Sequence, residues 1–183
     1  MPGTVYTIKE TSQLSLKEIK VILTYWDVPE WKNMSSEKFR SVFSQSEFHL
    51  LTTTDSKLLC VARINFRFKI EVKQIRYNIA ELVGLVAMEK GKGYGKKLLA
   101  HIQQSLVKRN IEVIGFCEKP VRPFYKKSGI PVLYNKARYL VEITGDEKMI
   151  SNDDDILNIT LRSATLKVIK GLNKKTTGHL LLE

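Results

Sequence analysis

Two cysteines and three histidines among 183 residues leave little material for a metal site or a disulfide framework. Cys60 and Cys117 both lie inside apolar, strand-like runs, where a cysteine behaves as a small buried hydrophobe. His49, His101 and His179 are scattered, with no metal-ligand spacing to either cysteine, so no metal is expected. No apolar run reaches the roughly 18 residues that would suggest a membrane span. Residues Met1 to Tyr6 carry neither a basic n-region nor an apolar h-region, so no secretory signal is expected and the expected location is cytoplasmic. Low-complexity segments and internal repeats are also lacking. Acidic residues are in deficit, with 19 Asp+Glu against 30 Lys+Arg and a net charge of +11. That sign favours anionic partners, either a phosphorylated cofactor or nucleic acid.

What is present suits one domain with a real core. Ser15-Leu16-Lys17-Glu18 fits a capping box, and Leu16, Ile19, Ile22, Leu23 and Trp26 follow at helical spacing. Ser35 or Ser36 can cap a second helix carrying Phe39, Val42 and Phe43. Trp26 and Trp31 read as packing residues. From Phe48 the period changes to two. Strands are expected over 48–53, through the alternation Ala62, Ile64, Phe66, Phe68, Ile70, and from about Gln74 to Ala87. In the last of these Glu81 interrupts an apolar face. Three strands with short connections predict a meander. An apolar strand over Ile111–Cys117 follows a helix through Leu98, Leu99, Ile102 and Leu106, which implies a parallel pair. Pro120 and Pro123 open a short helix that stops at Gly129. Strands over 140–144 and 156–161 and a helix over 164–172 are expected, Asp153-Asp154-Asp155 reads as a solvated turn, and nothing is read from Thr176 onward.

The chemistry sits at Lys90-Gly91-Lys92-Gly93-Tyr94-Gly95-Lys96-Lys97, between the apolar run 82–87 and the helix. Glycine lets a backbone turn its N–H groups toward a ligand, and the helix adds its positive end. A P-loop would need Ser or Thr after Gly95-Lys96, where Lys97 stands, and Gly five residues before Gly95, where Lys90 stands. A dinucleotide fingerprint would need a third glycine at Lys96 or Leu98. Both motifs fail.

The pattern Lys90-x-x-Gly93-x-Gly95 resembles the acetyl-CoA signature of the GNAT acetyltransferases, Arg/Gln-x-x-Gly-x-Gly/Ala, with Lys in place of Arg or Gln. Phe124-Tyr125-Lys126-Lys127-Ser128-Gly129-Ile130 is similar to the family's Phe-Tyr-x-x-x-Gly-Phe, with Ile in place of the last Phe. The motifs span about 81–130, and the order of elements matches over about 4–144. The resemblance implies an α+β fold: a central mixed, mostly antiparallel twisted sheet flanked by helices, with a C-terminal strand and helix extension over about 145–183, all in one domain, 1–183.

By the same resemblance, the backbone of Val83, Gly84 and Leu85 would pair with pantetheine. Lys90, Gly91, Lys92, Gly93, Tyr94, Gly95 and Lys96 would cradle the pyrophosphate. Tyr125 matches the general-acid tyrosine, able to protonate the departing thiolate. Glu81 is the candidate base that takes the amine proton, since a carboxylate on an apolar face suits a wet cleft. The expected activity is acetyl-CoA-dependent N-acetylation of a small-molecule or peptide amine, with acetyl-CoA as co-substrate. The alternatives are a CoA sensor and a basic nucleic-acid-binding module; against the latter, no arginine-rich arm or aromatic-and-basic motif is present. Homodimers are frequent in the family, and residues 156–172 could supply an interface.

Overall fold

A computed structural model describes residues 3–144, 147–150 and 153–182. In chain order its elements are β1 (Thr4–Glu10), α1 (Leu16–Trp26), α2 (Ser36–Val42), β2 (Ser46–Thr53), β3 (Leu58–Asn65), β4 (Phe68–Val72), β5 (Ile75–Tyr77) and β6 (Ala80–Ala87). Then come α3 (Tyr94–Lys108), β7 (Val113–Cys117), α4 (Arg122–Lys127), β8 (Val132–Leu133), β9 (Leu140–Thr144), β10 (Glu147–Ile150), β11 (Asp155–Asn158), α5 (Ser163–Lys170) and β12 (Gly178–Leu182). The chain divides into two compact, interleaved units, Met1–Asn65 with Val83–Ile102 and Phe66–Leu82 with Gln103–Glu183. Each unit takes part of β6 and part of α3.

In the first unit the capping box forms as the sequence implies. Ser15 Oγ accepts from the Glu18 N–H at 3.2 Å, and Glu18 Oε2 accepts from the Ser15 N–H at 2.8 Å. Helix α1 ends where Asp27 adopts a left-handed conformation, two residues before Pro29. Ser35 caps α2 through the Lys38 N–H. Strand β2 pairs antiparallel with β1 and β3, and β3 neighbours β6. Ile19, Ile22, Phe39, Phe43, Phe48, Leu50 and Val61 form the core between these helices and strands. Each such side chain contributes roughly 1.5–3 kcal/mol on full burial.

In the second unit the first residues of β6 pair in parallel with β7, Ala80↔Val113 to Leu82↔Gly115. This is the parallel pair expected of strand, helix, strand. Strand β7 pairs antiparallel with β11, which pairs with β8. A second, five-stranded sheet has the order β10-β9-β12-β4-β5. Its strands β4, β9 and β12 bury Phe68, Ile70, Val72, Leu140 and Leu180 against Ile156 and Ile169. The stretch from Thr176 onward, from which no element is read in the sequence, thus contains a strand inside this sheet, parallel to β9 and antiparallel to β4.

Two expected strands are each broken. The alternation through Ala62–Ile70 is interrupted by a turn at Phe66-Arg67, and the run from Gln74 by Asn78-Ile79. A two-residue break preserves the parity of a period-two pattern, so alternation alone cannot reveal it. Between the breaks, Lys73 (φ 51°) and Gln74 (φ 62°) turn β4 back onto β5. Positive φ at both central residues is the mark of a type I′ hairpin.

Candidate active site

Strand β6 starts as an ordinary buried strand, with Ala80 and Leu82 covered. From Val83 to Met88 every residue is only half-buried, although the run is apolar. Within it Gly84 has φ +66°. Its carbonyl oxygen accepts a hydrogen bond from Trp26 Nε1 at 2.7 Å. A Cβ added at Gly84 would stand 2.7 Å from Trp26 Nε1 and Cε2, so conformation and space both require glycine here.

The chain then turns through residues 88–93 into α3. Gly91 (φ +76°) and Gly93 (φ +75°) take left-handed conformations, and a Cβ at either would meet nothing within 4 Å. The requirement at these two positions is conformational. The first helical bond runs from the Lys97 N–H to the Gly93 carbonyl at 3.0 Å. The N–H groups of Tyr94, Gly95 and Lys96 therefore have no acceptor within the helix. No acidic residue occupies the first turn, and Lys90, Lys92, Lys96 and Lys97 are exposed around it. An exposed ion pair, Lys57–Glu89 at 3.3 Å, lies at the start of the turn. The result is a helix N-terminus open to an anion. All ten residues read as cofactor-binding, Val83 to Leu85 and Lys90 to Lys96, belong to the first unit.

The second unit holds the two residues read as catalytic. Glu81 is half-buried on β6, in register with Ile114 of β7. It immediately precedes Leu82, the last β6 residue of that ladder. Tyr125 lies in α4, which closes with the Ile130 N–H donating to the Tyr125 carbonyl at 3.0 Å and Gly129 at φ +80°. Burial, then the negative charges of Cys117 and Asp153, push the Tyr125 phenol up to about 12. The Cys117 thiol is itself pushed up to about 11, by burial first and then by Asp155. Neither cysteine is in a disulfide.

The acidic run before β11 is not the solvated turn its sequence suggests. Asp155 is fully buried. It accepts from Arg122 Nε at 2.6 Å, from Arg122 Nη2 at 2.9 Å and from the Asn135 N–H at 2.8 Å. Asp154 accepts from the Lys119 N–H at 3.0 Å, which draws its carboxyl below the usual range. These bonds fix the approach to α4, and the Arg122 guanidinium lies 4.6 Å from the Tyr134 ring centroid. The partners of Arg122 and of Trp26 come from remote parts of the chain, which is why neither role is written in local sequence.

A further polar group lies in the first unit. His49, fully buried, sits 2.6 Å from Tyr6 Oη through Nδ1 and 2.9 Å from Glu47 Oε1 through Nε2. A neutral imidazole protonated on Nε2 satisfies both bonds, as a buried polar group requires. Among the described residues no cluster of His, Cys, Asp and Glu could hold a metal ion, and no helix is long and apolar enough to cross a membrane.

No protein-family model and no curated protein matches the sequence. Solved structures do match. A GNAT family N-acetyltransferase from Escherichia coli (YhbS), in complex with CoA, superposes with a TM-score of 0.63 at 10% identity, over 100% of this chain and 91% of that one. An acetyltransferase of the GNAT family from Staphylococcus aureus gives 0.53 at 12% identity, over 85% and 100%. The catalytic domain of the Tetrahymena GCN5 histone acetyltransferase, in complex with coenzyme A, gives 0.52 at 16% identity, over 87% and 96%. Identities this low carry the fold. The mixed sheets flanked by helices are therefore those of the GNAT N-acetyltransferase fold.

Proposed function

We propose that the protein is an acetyl-CoA-dependent N-acetyltransferase acting on a primary amine of a small molecule or peptide. The observation that carries this reading is the continuous run from Val83 to Lys96. A half-buried apolar strand stretch leads into two left-handed glycines and an uncapped helix start. The strand stretch suits pantetheine, and the helix N-terminus suits the pyrophosphate, contributing roughly 0.3–1 kcal/mol through its dipole. Lys90, Lys92, Lys96 and Lys97 add a salt-screened positive field.

Acetyl-CoA is the donor substrate. The amine nitrogen attacks the thioester carbonyl, the C–N bond forms, the C–S bond breaks, and CoA leaves as a thiolate. Glu81 takes the proton released by the amine. The peptide N–H groups near Val83 and Leu85 stabilise the oxyanion that develops on the carbonyl. Tyr125 donates to the departing sulfur. With its phenol pushed up to about 12, Tyr125 stays protonated at neutral pH but is a weaker acid than a solvated tyrosine. Proton transfer to a thiolate of pKa about 8.5 is uphill from such a phenol. Its hydrogen bond to the sulfur therefore supplies most of its effect, with full transfer late or by way of water.

Calorimetry with acetyl-CoA, followed by a thiol-release assay over polyamines, amino acids, aminoglycosides and peptides, tests the reading. Binding with turnover of one acceptor class supports it. Tight binding with no turnover would leave a CoA sensor. No binding of acetyl-CoA, together with salt-dependent retention on RNA or DNA, would replace it with the nucleic-acid module that a net charge of +11 allows.

A further inference from the structure

Trp26 terminates α1, yet its most specific contact is with β6. Its indole nitrogen, a donor only, gives its hydrogen to the Gly84 carbonyl at 2.7 Å. Four rings hold the indole in place, with centroids 5.7 Å away for Trp31, 6.2 Å for Phe39, 5.6 Å for Phe43 and 6.0 Å for Phe48. The close approach depends on Gly84 having no Cβ, since one would stand 2.7 Å from the indole. The Gly84 carbonyl and the Leu85 N–H belong to one planar trans peptide and point in opposite directions. Fixing the carbonyl on the indole therefore fixes the direction of the Leu85 N–H.

We propose that Trp26 is a positioning residue, which sets the Gly84–Leu85 peptide plane so that the Leu85 N–H faces the acyl-pantetheine arm of acetyl-CoA. The proposal rests on the acetyl-CoA reading given above. A packed indole N–H needs some acceptor; what marks this one is its acceptor, a carbonyl 58 residues away in sequence at the one residue of the strand with a positive φ. Trp26 touches neither the donor's adenosine nor its phosphates in this scheme. Its removal should therefore affect only ligands that carry pantetheine.

Two probes separate the roles: acetyl-CoA, and adenosine 5′-diphosphate 3′-phosphate, the fragment of CoA without pantetheine. Trp26→Phe keeps an aromatic ring and removes the donor. It should weaken acetyl-CoA binding by about 3- to 10-fold, the scale of one neutral hydrogen bond, and change the affinity for the fragment by less than about 2-fold. A measurement on the unaltered protein guards against misfolding of the variant. The chain has two tryptophans, so ¹⁵N-tryptophan labelling gives two indole N–H signals, one of which is assigned to Trp26 by its loss in Trp26→Phe or, should that variant not fold, by its loss in Trp31→Phe of the other. The Trp26 signal should exchange slowly with solvent and should shift on addition of acetyl-CoA but not of the fragment. Equal weakening of both probes, or a Trp26 indole signal that responds equally to both, would overturn the positioning role while leaving acetyl-CoA binding intact. Failure of the unaltered protein to bind either probe would overturn the acetyl-CoA reading, and the positioning role with it.

Discussion

Arg122 grips the fully buried Asp155 with two nitrogens, at 2.6 and 2.9 Å, across 33 residues of sequence. Arg122 opens α4 and Asp155 opens β11, so this pair ties the helix that carries Tyr125 to a strand of its own unit. Removing the cation alone leaves a buried carboxylate with its charge uncompensated, which costs more than replacing both members by neutral groups. Arg122→Met should therefore lower the thermal midpoint. The double variant Arg122→Met/Asp155→Asn should be more stable than Arg122→Met alone. Calorimetric melting of the parent and the two variants decides it; a double variant no more stable than Arg122→Met would show that an uncompensated Asp155 charge is not the source of the loss.

Tyr125→Phe should reduce acetyl transfer by about 10²- to 10³-fold, the scale of losing one hydrogen-bond donor to a developing negative charge, with acetyl-CoA affinity nearly intact. Glu81→Gln should depress the rate most at low pH, where deprotonating the amine is hardest. Steady-state rates across pH, once an acceptor is known, check both. An unchanged rate in Tyr125→Phe, or a pH profile in Glu81→Gln parallel to that of the parent, removes the residue concerned from the mechanism.

Glycines 84 and 91 share a conformation but not a setting. Gly91→Ala should cost only the left-handed penalty, about 1–2 kcal/mol, and Gly91→Asn less, since Asn tolerates that conformation and nothing stands within 4 Å of the new Cβ. Gly84→Ala should cost more, because its Cβ would also meet the Trp26 ring at 2.7 Å. Urea denaturation of the three variants provides the order.

Alkaline pH should destabilise the fold. The Cys60 thiol is pushed up to about 12 and the Cys117 thiol to about 11, both by burial first, and the Tyr125 phenol to about 12. The unfolded chain releases these protons from about pH 8.5 for thiols and about 10 for tyrosine. The unfolded state then binds fewer protons than the folded one, and stability falls as pH rises through this window. Denaturation midpoints between pH 8 and 11 should decline, and the decline should flatten in Cys60→Ala/Cys117→Ala. Iodoacetamide at pH 8 should label neither thiol until the protein is unfolded.

Much of the frame was legible in the sequence because its signals are local. The Ser15–Glu18 box, the α2 cap at Ser35 and the glycine turn before α3 are each written within a few residues. The breaks at Phe66-Arg67 and Asn78-Ile79 were hidden by their even length. Asp155 read as part of a solvated run because nothing near it reveals that Arg122 will come to it. Trp26 read correctly as packing, but its bond to Gly84 depends on a tertiary approach that no spacing encodes. The turn before α3 was legible because left-handed conformations at Gly91 and Gly93 demand glycine at specific positions, and the demand shows as letters.

Strand β12 separates β4 from β9 and hydrogen-bonds to both. Without Gly178–Leu182 the second sheet would fall into two ribbons of two strands each, β4–β5 and β9–β10, a size that is marginal in water. Each ribbon would also present a raw edge of unpaired N–H and C=O groups carrying apolar side chains such as Phe68, Ile70 and Leu140, a template for pairing with other chains. Trimming this short segment would therefore be felt first as loss of solubility.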